Sequence, residues 1–360
     1  MKIGFILLSN SARPIPSTRV AALNMFPLLR AAGCEPHIVF EPATATETPN
    51  LDGLLPSIVA GGFDLVVFQK VQGPSAVALA QQLGQAGIRT VYCVCDLVNA
   101  PMAAATDATV TVTEFLKSLY PAALQHKIHV VHDGIERPEV HKGDWGHRRA
   151  TAAHPLRAVL VTSAQLDRLP VIAEPPPWLQ VTIVGRYRPA GQPLQRMREA
   201  KWQLARAADQ GRGWTYLRFL ANRRIRCVAW HPNGVYEMMR QADIGIIPVD
   251  TGHGAGTDTG LPAPSWQVKS ENRLSMKMCI GLPVIATPIP SYEPLVRQGE
   301  NGFLASSHED WMRYLEALRE PALRAAMGRA ARASVQERYS MEEQARLLLR
   351  VFKDTYLHSI

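Results

Sequence analysis

The stretch "KSENRLSMKMCIGLPVIATPIPSYE", Lys269 to Glu293, packs Lys269, Glu271, Asn272 and Arg273 into five residues and then turns apolar. Ser270 suits a helix N-cap, Glu271 suits the first turn, and Gly281 followed by Pro283 stops the helix. Leu274 and Met278 lie four apart, so they share the face that packs inward. "PVIATPI" then reads as a buried strand. A helix N-terminus at this position presents free N–H groups and the positive end of a dipole, a ready phosphate site. Lys269 and Arg273 add full charges there, so the polar heads read as a diphosphate cradle. The competing reading is a charged first turn that faces water, and the first turn by itself does not separate the two.

Outward from this stretch the chain repeats one pattern. In the first half, "KIGFILL", "CEPHIVF", "DLVVFQK", "RTVYCVC", "DATVTVT" and "IHVVHDG" read as strands. Helical segments lie between them, "TRVAALNMFPLLRAAG", "PSAVALAQQLGQAG" and "EFLKSLYPAAL" among them. Apolar runs without alternation suit strands covered on both faces, and strand–helix–strand repetition points to a parallel sheet. The polar, turn-rich stretch around 136–155 breaks the pattern, and 141–155 reads as a linker. Strand-like "RAVLVTS", "LQVTIVG", "IRCVAW" and "ADIGIIPV" then restart it. From about Pro321 the chain is helical, and Ser340 with Glu343 forms a capping box before the last helix. The expectation is α/β: two tandem doubly wound Rossmann-like domains facing a cleft, 1–140 with 341–360 and 156–335. The final helix crosses back to the first domain.

The 360 residues suit two domains better than one. The opening apolar run, Ile3 to Leu8, is too short for a signal-peptide core or a membrane span. A cytoplasmic protein is expected, peripheral at the inner face of a membrane. The five cysteines are odd in number and form no CxxC pair, so buried thiols are favoured over metal or disulfide. The formal charge of +8 is concentrated: residues 187–226 hold ten Lys or Arg against Glu199 and Asp209. Such a patch suits an anionic partner, and Trp202, Trp214, Tyr216 and Phe219 interleave it. A solvated helical face is the plainer reading of the same charges.

In doubly wound sheets ligands gather beyond the carboxyl ends of the strands. Several polar residues fall there. Gly185 and Arg186 follow "VTIV"; Asp250 follows "IIPV" and opens a glycine-rich loop; Ser291, Tyr292 and Glu293 follow "PVIATPI". In the first half, Ser17, Thr18 and Arg19 open the first helix, Lys70 follows "DLVVFQ", and Asp96 follows "VYCVC". Each alone is more often structural than functional; together they raise the odds of a site.

"ADIGIIPVD", "KSENRLSMKMCIGLPVIATPIPSYEPLVRQGENGFLA" and "LRAAMGRAARASVQERYSMEEQA" resemble the C-terminal half of GT-B-fold glycosyltransferases. The match is to retaining family 4 and related bacterial surface-polysaccharide enzymes. "STRVAALNMFPLLRAAGCEPHIV" and "IHVVHDGIERP" are similar to that family's N-terminal signposts. The resemblance implies an acceptor-binding first domain and a nucleotide-sugar-binding second one. It implies a glycan or lipid-linked acceptor in capsule or lipopolysaccharide synthesis. It also implies a retaining, metal-independent transfer, with no cofactor beyond the nucleotide sugar as co-substrate. Lys269 and Arg186 match the family's basic grip on the diphosphate and, with Asp96, are the catalytic candidates. Gly185, Asp250, Ser270, Glu271, Asn272, Arg273, Ser291, Tyr292 and Glu293 are the donor-binding set. Ser17, Arg19 and Lys70 are the acceptor set. Two departures stand out. Val268 and Met276 occupy the family's usual pair of glutamates, and its "HD" is here Cys95–Asp96.

A nucleotide-sugar epimerase of the same fold would share the cradle but need a paired acid and base, and the sequence shows no obvious pair. A non-catalytic ligand-binding relative is a further reading. A nicotinamide enzyme lacks its GxGxxG, and a nucleic-acid binder explains the basic patch alone.

Overall fold

The computed structural model describes residues 1–162, 175–185, 201, 204–209, 211–232, 234–249, 251 and 263–357. In chain order the first strands and helices are β1 (Lys2–Leu7), α1 (Pro16–Ala21), α2 (Phe26–Ala31), β2 (Glu35–Phe40), α3 (Leu55–Ala60) and β3 (Leu65–Gln69). They continue with α4 (Pro74–Gln85), β4 (Arg89–Val94), α5 (Ala100–Ala105), β5 (Ala108–Thr111), α6 (Glu114–Ser118) and β6 (Ile128–Val130). Then come β7 (Leu156–Val161), β8 (Leu179–Gly185), α7 (Gly213–Ala221), β9 (Ile225–Ala229), α8 (Gly234–Gln241) and β10 (Ile244–Ile247). The remainder is α9 (Asn272–Ile280), β11 (Val284–Ala286), β12 (Phe303–Leu304), α10 (His308–Ala317), α11 (Pro321–Val335) and α12 (Met341–Leu357).

Two six-stranded sheets result, ordered β2-β1-β3-β4-β5-β6 and β12-β11-β10-β7-β8-β9. Every strand pair is parallel. The chain divides into two compact units. One is Met1–Glu136, Gly254–Asn272 and Glu337–Ile360; the other is Arg137–His253 and Arg273–Gln336.

In the first unit the strand period distributes the core. Ile3, Phe5 and Leu7 of β1, with Leu65 and Val67 of β3, join Met25, Phe26 and Leu29 and the inner face of α12. Ile6, Val66 and Phe68 point to the other layer, against Ile58 of α3 and Leu79 and Leu83 of α4. Alternation to two covered faces is why these strands are apolar throughout. The second unit repeats the arrangement. Leu156, Ala158 and Leu160 of β7 pack with Tyr216, Phe219, Trp311 and Leu315. Val159 and Val161 pack with Val235 and Met239 of α8 and Met276 and Ile280 of α9.

Two helices expected as single pieces are broken. The Thr18–Gly33 segment divides into α1, a 3-10 turn at Leu23–Met25, and α2. Pro27 lacks the N–H that would reach back to Leu23. Pro121 likewise ends α6 early, and a 3-10 segment, Ala122–Lys127, follows. Before α12, Ser340 Oγ accepts from the Glu343 N–H at 3.1 Å, but the Glu343 carboxylate goes to Arg346 instead of returning to the cap.

The 141–155 stretch packs onto the second unit. Trp145 Nε1 donates to the Gly281 carbonyl at 2.6 Å, and its ring lies where Gly328 has no side chain. Buried Arg324 donates to the carbonyls of Trp145, Arg148, Leu318 and Arg319. Four carbonyls satisfy a guanidinium that would otherwise be costly to bury.

Candidate functional site

In a sheet ordered 2-1-3-4-5-6 the winding direction reverses between β1 and β3, and the carboxyl ends there form the natural binding crevice. A buried polar network marks this point. Gln69 Oε1, at the end of β3, accepts from the Leu8 N–H and from Thr18 Oγ1, and Ser9 Oγ donates to Thr18. One residue on, Lys70 has φ 56°, the only positive φ outside glycine among the described residues. Its Nζ reaches Asp96 at 2.8 Å and Glu47 at 3.0 Å. Burial alone would lower the Lys70 ammonium, but Cys95, Asp96 and Glu47 together raise it above its ordinary value. Lys70 therefore stays charged, and a strained backbone holds it on two carboxylates that remain partly open to solvent.

The other expected residues of this edge behave differently. Arg19 is locked by a two-pronged pair with Glu136, at 2.6 and 3.0 Å. Ser17 is half-buried in the first turn of α1, while its neighbour Thr18 turns inward to Gln69.

Beyond β6 the same edge carries a constellation that strand-end reasoning passed over. His132 Nδ1 stands 2.9 Å from the Val112 carbonyl and 2.8 Å from Glu271 Oε1. Both neighbours are acceptors, so this nitrogen carries a proton. One N–H serves one acceptor well. Glu271 Oε1 accepts no hydrogen bond despite the contact, and its side chain is 2% exposed. Tyr339 lies against the imidazole, at 4.9 Å between ring centres. Next to His132, Asp133 is pushed up to about 6 by burial first, then by Glu271 and Asp96, against the pull of Ser270 and His132. A small cavity of about 30 Å³, room for one or two waters, is lined by Gln69, Cys95, His132 and Asp133 over an apolar floor that includes Val110 and Leu348. A His–Asp pair thus follows β6, at His132–Asp133, while the end of β4 carries Cys95–Asp96. The rule that singled out Asp96 could have found it.

The expected cap needs correction. Helix α9 starts at Asn272, so Glu271, not Ser270, holds the position before it, and the Ser270 side chain serves Asp133. Glu271 is not a first-turn carboxylate facing out; it is buried against His132. Val268, at one family glutamate position, packs with Val112 and Leu116. Lys269 is half-buried, and Asn272 opens the helix.

In the second unit, half-buried Arg273 lies in the first turn of α9, and Lys277 one turn later is fully buried. Met276, at the other family glutamate position, fills the core beneath. After β11, Ser291 is buried with its hydroxyl unpartnered among the described residues, Tyr292 is buried, and Glu293 is exposed. Gly185 ends β8, and its carbonyl takes the Trp230 N–H. Arg186 and Asp250 lie outside the described residues.

Comparison with known proteins agrees with the fold. A glycosyl transferase-like family model matches residues 181–350, and a glycosyl transferase family 4 group model matches 18–140. No curated protein has a significantly similar sequence. Among solved structures, Anabaena HepE in complex with UDP and glucose is 14% identical with a TM-score of 0.64, covering 98% of this chain and all of that one. A Rickettsia africae glycosyltransferase is 11% identical with a TM-score of 0.65, covering 98% of each chain. Sucrose-phosphate synthase of Thermosynechococcus elongatus is 14% identical with a TM-score of 0.65, covering 99% of each. Both halves of the chain thus match glycosyl transferase models, and the whole chain shares the GT-B fold of such enzymes.

Proposed function

We propose that this glycosyltransferase moves a sugar from a nucleoside-diphosphate sugar to a hydroxyl of a glycan or lipid-linked acceptor in surface polysaccharide synthesis. The observation that carries the reading is the entry to α9, where Lys269 and Arg273 stand at the N-terminus of a nine-residue helix, the positive end of its dipole. The structural neighbour HepE, solved with UDP and with UDP-glucose, favours a uridine donor. Ser291, whose buried hydroxyl lacks a partner among the described residues, is a candidate to hydrogen-bond the donor.

The chemistry this supports is charge stabilisation. As the bond between the anomeric carbon and the phosphate oxygen breaks, negative charge builds on the leaving diphosphate. Lys269, Arg273 and Arg186, with the helix N-terminus, stabilise that charge without rearrangement. Asp96 and Lys70, beyond the first sheet, orient the acceptor hydroxyls, and we assign acceptor binding to that unit. Transfer is proposed to retain the anomeric configuration and to need no metal.

No helix among the described residues is long and apolar enough to cross a membrane. Peripheral contact is supported by α7, where Trp214 is 81% and Leu217 40% exposed within the basic segment. A tryptophan beside arginines suits the interface of an anionic bilayer.

A thermal-shift screen with UDP, GDP, CMP, dTDP and their sugars tests the donor, because a ligand that binds only the native state raises its stability. Stabilisation of the wild type but not of Lys269→Ala is expected. No shift with any nucleotide at millimolar concentration would remove the donor reading. Product anomeric configuration by NMR checks retention, and loss of anionic-vesicle binding in Trp214→Ala checks the membrane face.

A further inference from the structure

Lys277 is 0% exposed, in the middle of α9. Its Nζ makes one hydrogen bond, to the Arg273 carbonyl at 3.0 Å, and no ion pair among the described residues. A buried ammonium with no counter-charge is costly, so lysine here calls for a reason. The surrounding residues make room for it. Gly245 of β10 leaves the space its stem fills: a Cβ there would meet Lys277 Cδ at 2.7 Å. Strand β10 presents Gly245 and strand β11 presents Val284, neither charged. Among the described residues the one charge that reaches the amine is Arg273 of its own helix, and it has the same sign. A bond to the carbonyl four residues back directs Nζ toward the N-terminus of α9.

We propose that Lys277 is a proton-linked binding residue for the donor: its amine takes up a proton as the diphosphate of a nucleotide sugar settles at the first turn of α9. This rests on the donor reading above. In the free protein, burial and then Arg273 lower the ammonium to about 7. At pH 7 the amine is therefore about half neutral and by pH 8 largely so, and the helix is spared part of a buried charge. An anion at the first turn offsets Arg273 and favours the charged form, the ordinary effect of an opposite charge on a lysine. By linkage the effect is reciprocal: protonation of Lys277 tightens the donor as much as the donor raises the lysine. The site thus carries a further cation that charges more fully when an anion arrives.

The test is titration calorimetry at pH 8 with UDP-glucose, GDP-mannose and dTDP-glucose. Each has a diphosphate esterified at both ends, with no ionisation of its own near neutrality. Runs in buffers of different ionisation enthalpy count the protons taken up. Binding with uptake approaching one proton is expected, with Kd rising toward about tenfold per pH unit above 7. Lys277→Met is expected to bind without uptake and with a flat pH profile; if it does not fold, Lys277→Gln, which can keep the bond to the Arg273 carbonyl, takes its place. Wild-type binding without uptake, or equal uptake in the folded variant, overturns the role of Lys277 while leaving the donor site standing. No binding of any of the three sugars overturns both.

Discussion

The two sheets carry opposite chemistry beyond their carboxyl ends. The first ends in acids: Glu47, Asp96 and Asp133, with Glu271 beside them, against Lys70 and His132. In the second unit, the first turns of α9 hold Arg273 and Lys277 with no paired carboxylate among the described residues. Acceptor-only oxygens suit hydroxyl groups, and an arginine without a paired carboxylate, beside an amine that can charge, suits phosphate. One fold built twice thus carries different residues in the loops and helix starts beyond its strands.

The largest expected effect concerns what holds the acidic edge together. His132→Ala leaves the buried Glu271 carboxylate without its imidazole and is expected to cost about 3–5 kcal/mol, measured by urea unfolding. Adding Glu271→Gln to that variant should recover part of the loss; no recovery would mean that Glu271 is not charged against His132. On the basic side, Lys269→Ala is expected to lower kcat by about 10²–10³, as for other lost donors to a developing charge. Asp96→Asn should instead raise the acceptor KM and leave donor affinity unchanged, and the contrast fails if both variants weaken the same substrate.

A smaller effect follows from Asp133. Its folded value, about 6, lies above the ordinary aspartate value, so the native state keeps a proton that the unfolded chain releases. The stability from this group is full below about pH 4 and is lost as pH rises through 6. The urea midpoint of the wild type relative to Asp133→Asn should fall across that window. The smallest effect is at Glu293, which is exposed. Glu293→Gln should change stability by no more than about 0.5 kcal/mol, so a shift in donor KM would report contact and not folding.

How much of this was legible depended on range along the chain. Continuous apolar runs gave both parallel sheets, because strands covered on two faces need no polar partner to explain them. The N-terminus of α9 was legible to within two residues from Lys269 to Arg273. The helix breaks at Pro27 and Pro121 were written in the chain but outweighed by helical periodicity. The meeting of His132 with Glu271 was not legible, since nothing local links positions so far apart. Nor was the burial of Lys277, which depends on a missing side chain at Gly245 on another strand. Glu271 looked like a helix-start carboxylate, and only tertiary packing turned it inward.

The packing of α12 has a consequence for how the protein is made. Ala345, Leu348, Val351 and Phe352 complete the core around β1 and β3, and the Gln344 side chain closes onto the His132 N–H across 212 residues of sequence. The N-terminal layer therefore leaves the ribosome with an open apolar face, and the segment that covers it is synthesised only after every strand of the second sheet. In this protein the second half can mature before the first, which reverses the usual order of vectorial folding. A stalled or truncated chain would expose the surface of Phe5, Met25 and Leu29, a ready target for chaperones and proteases.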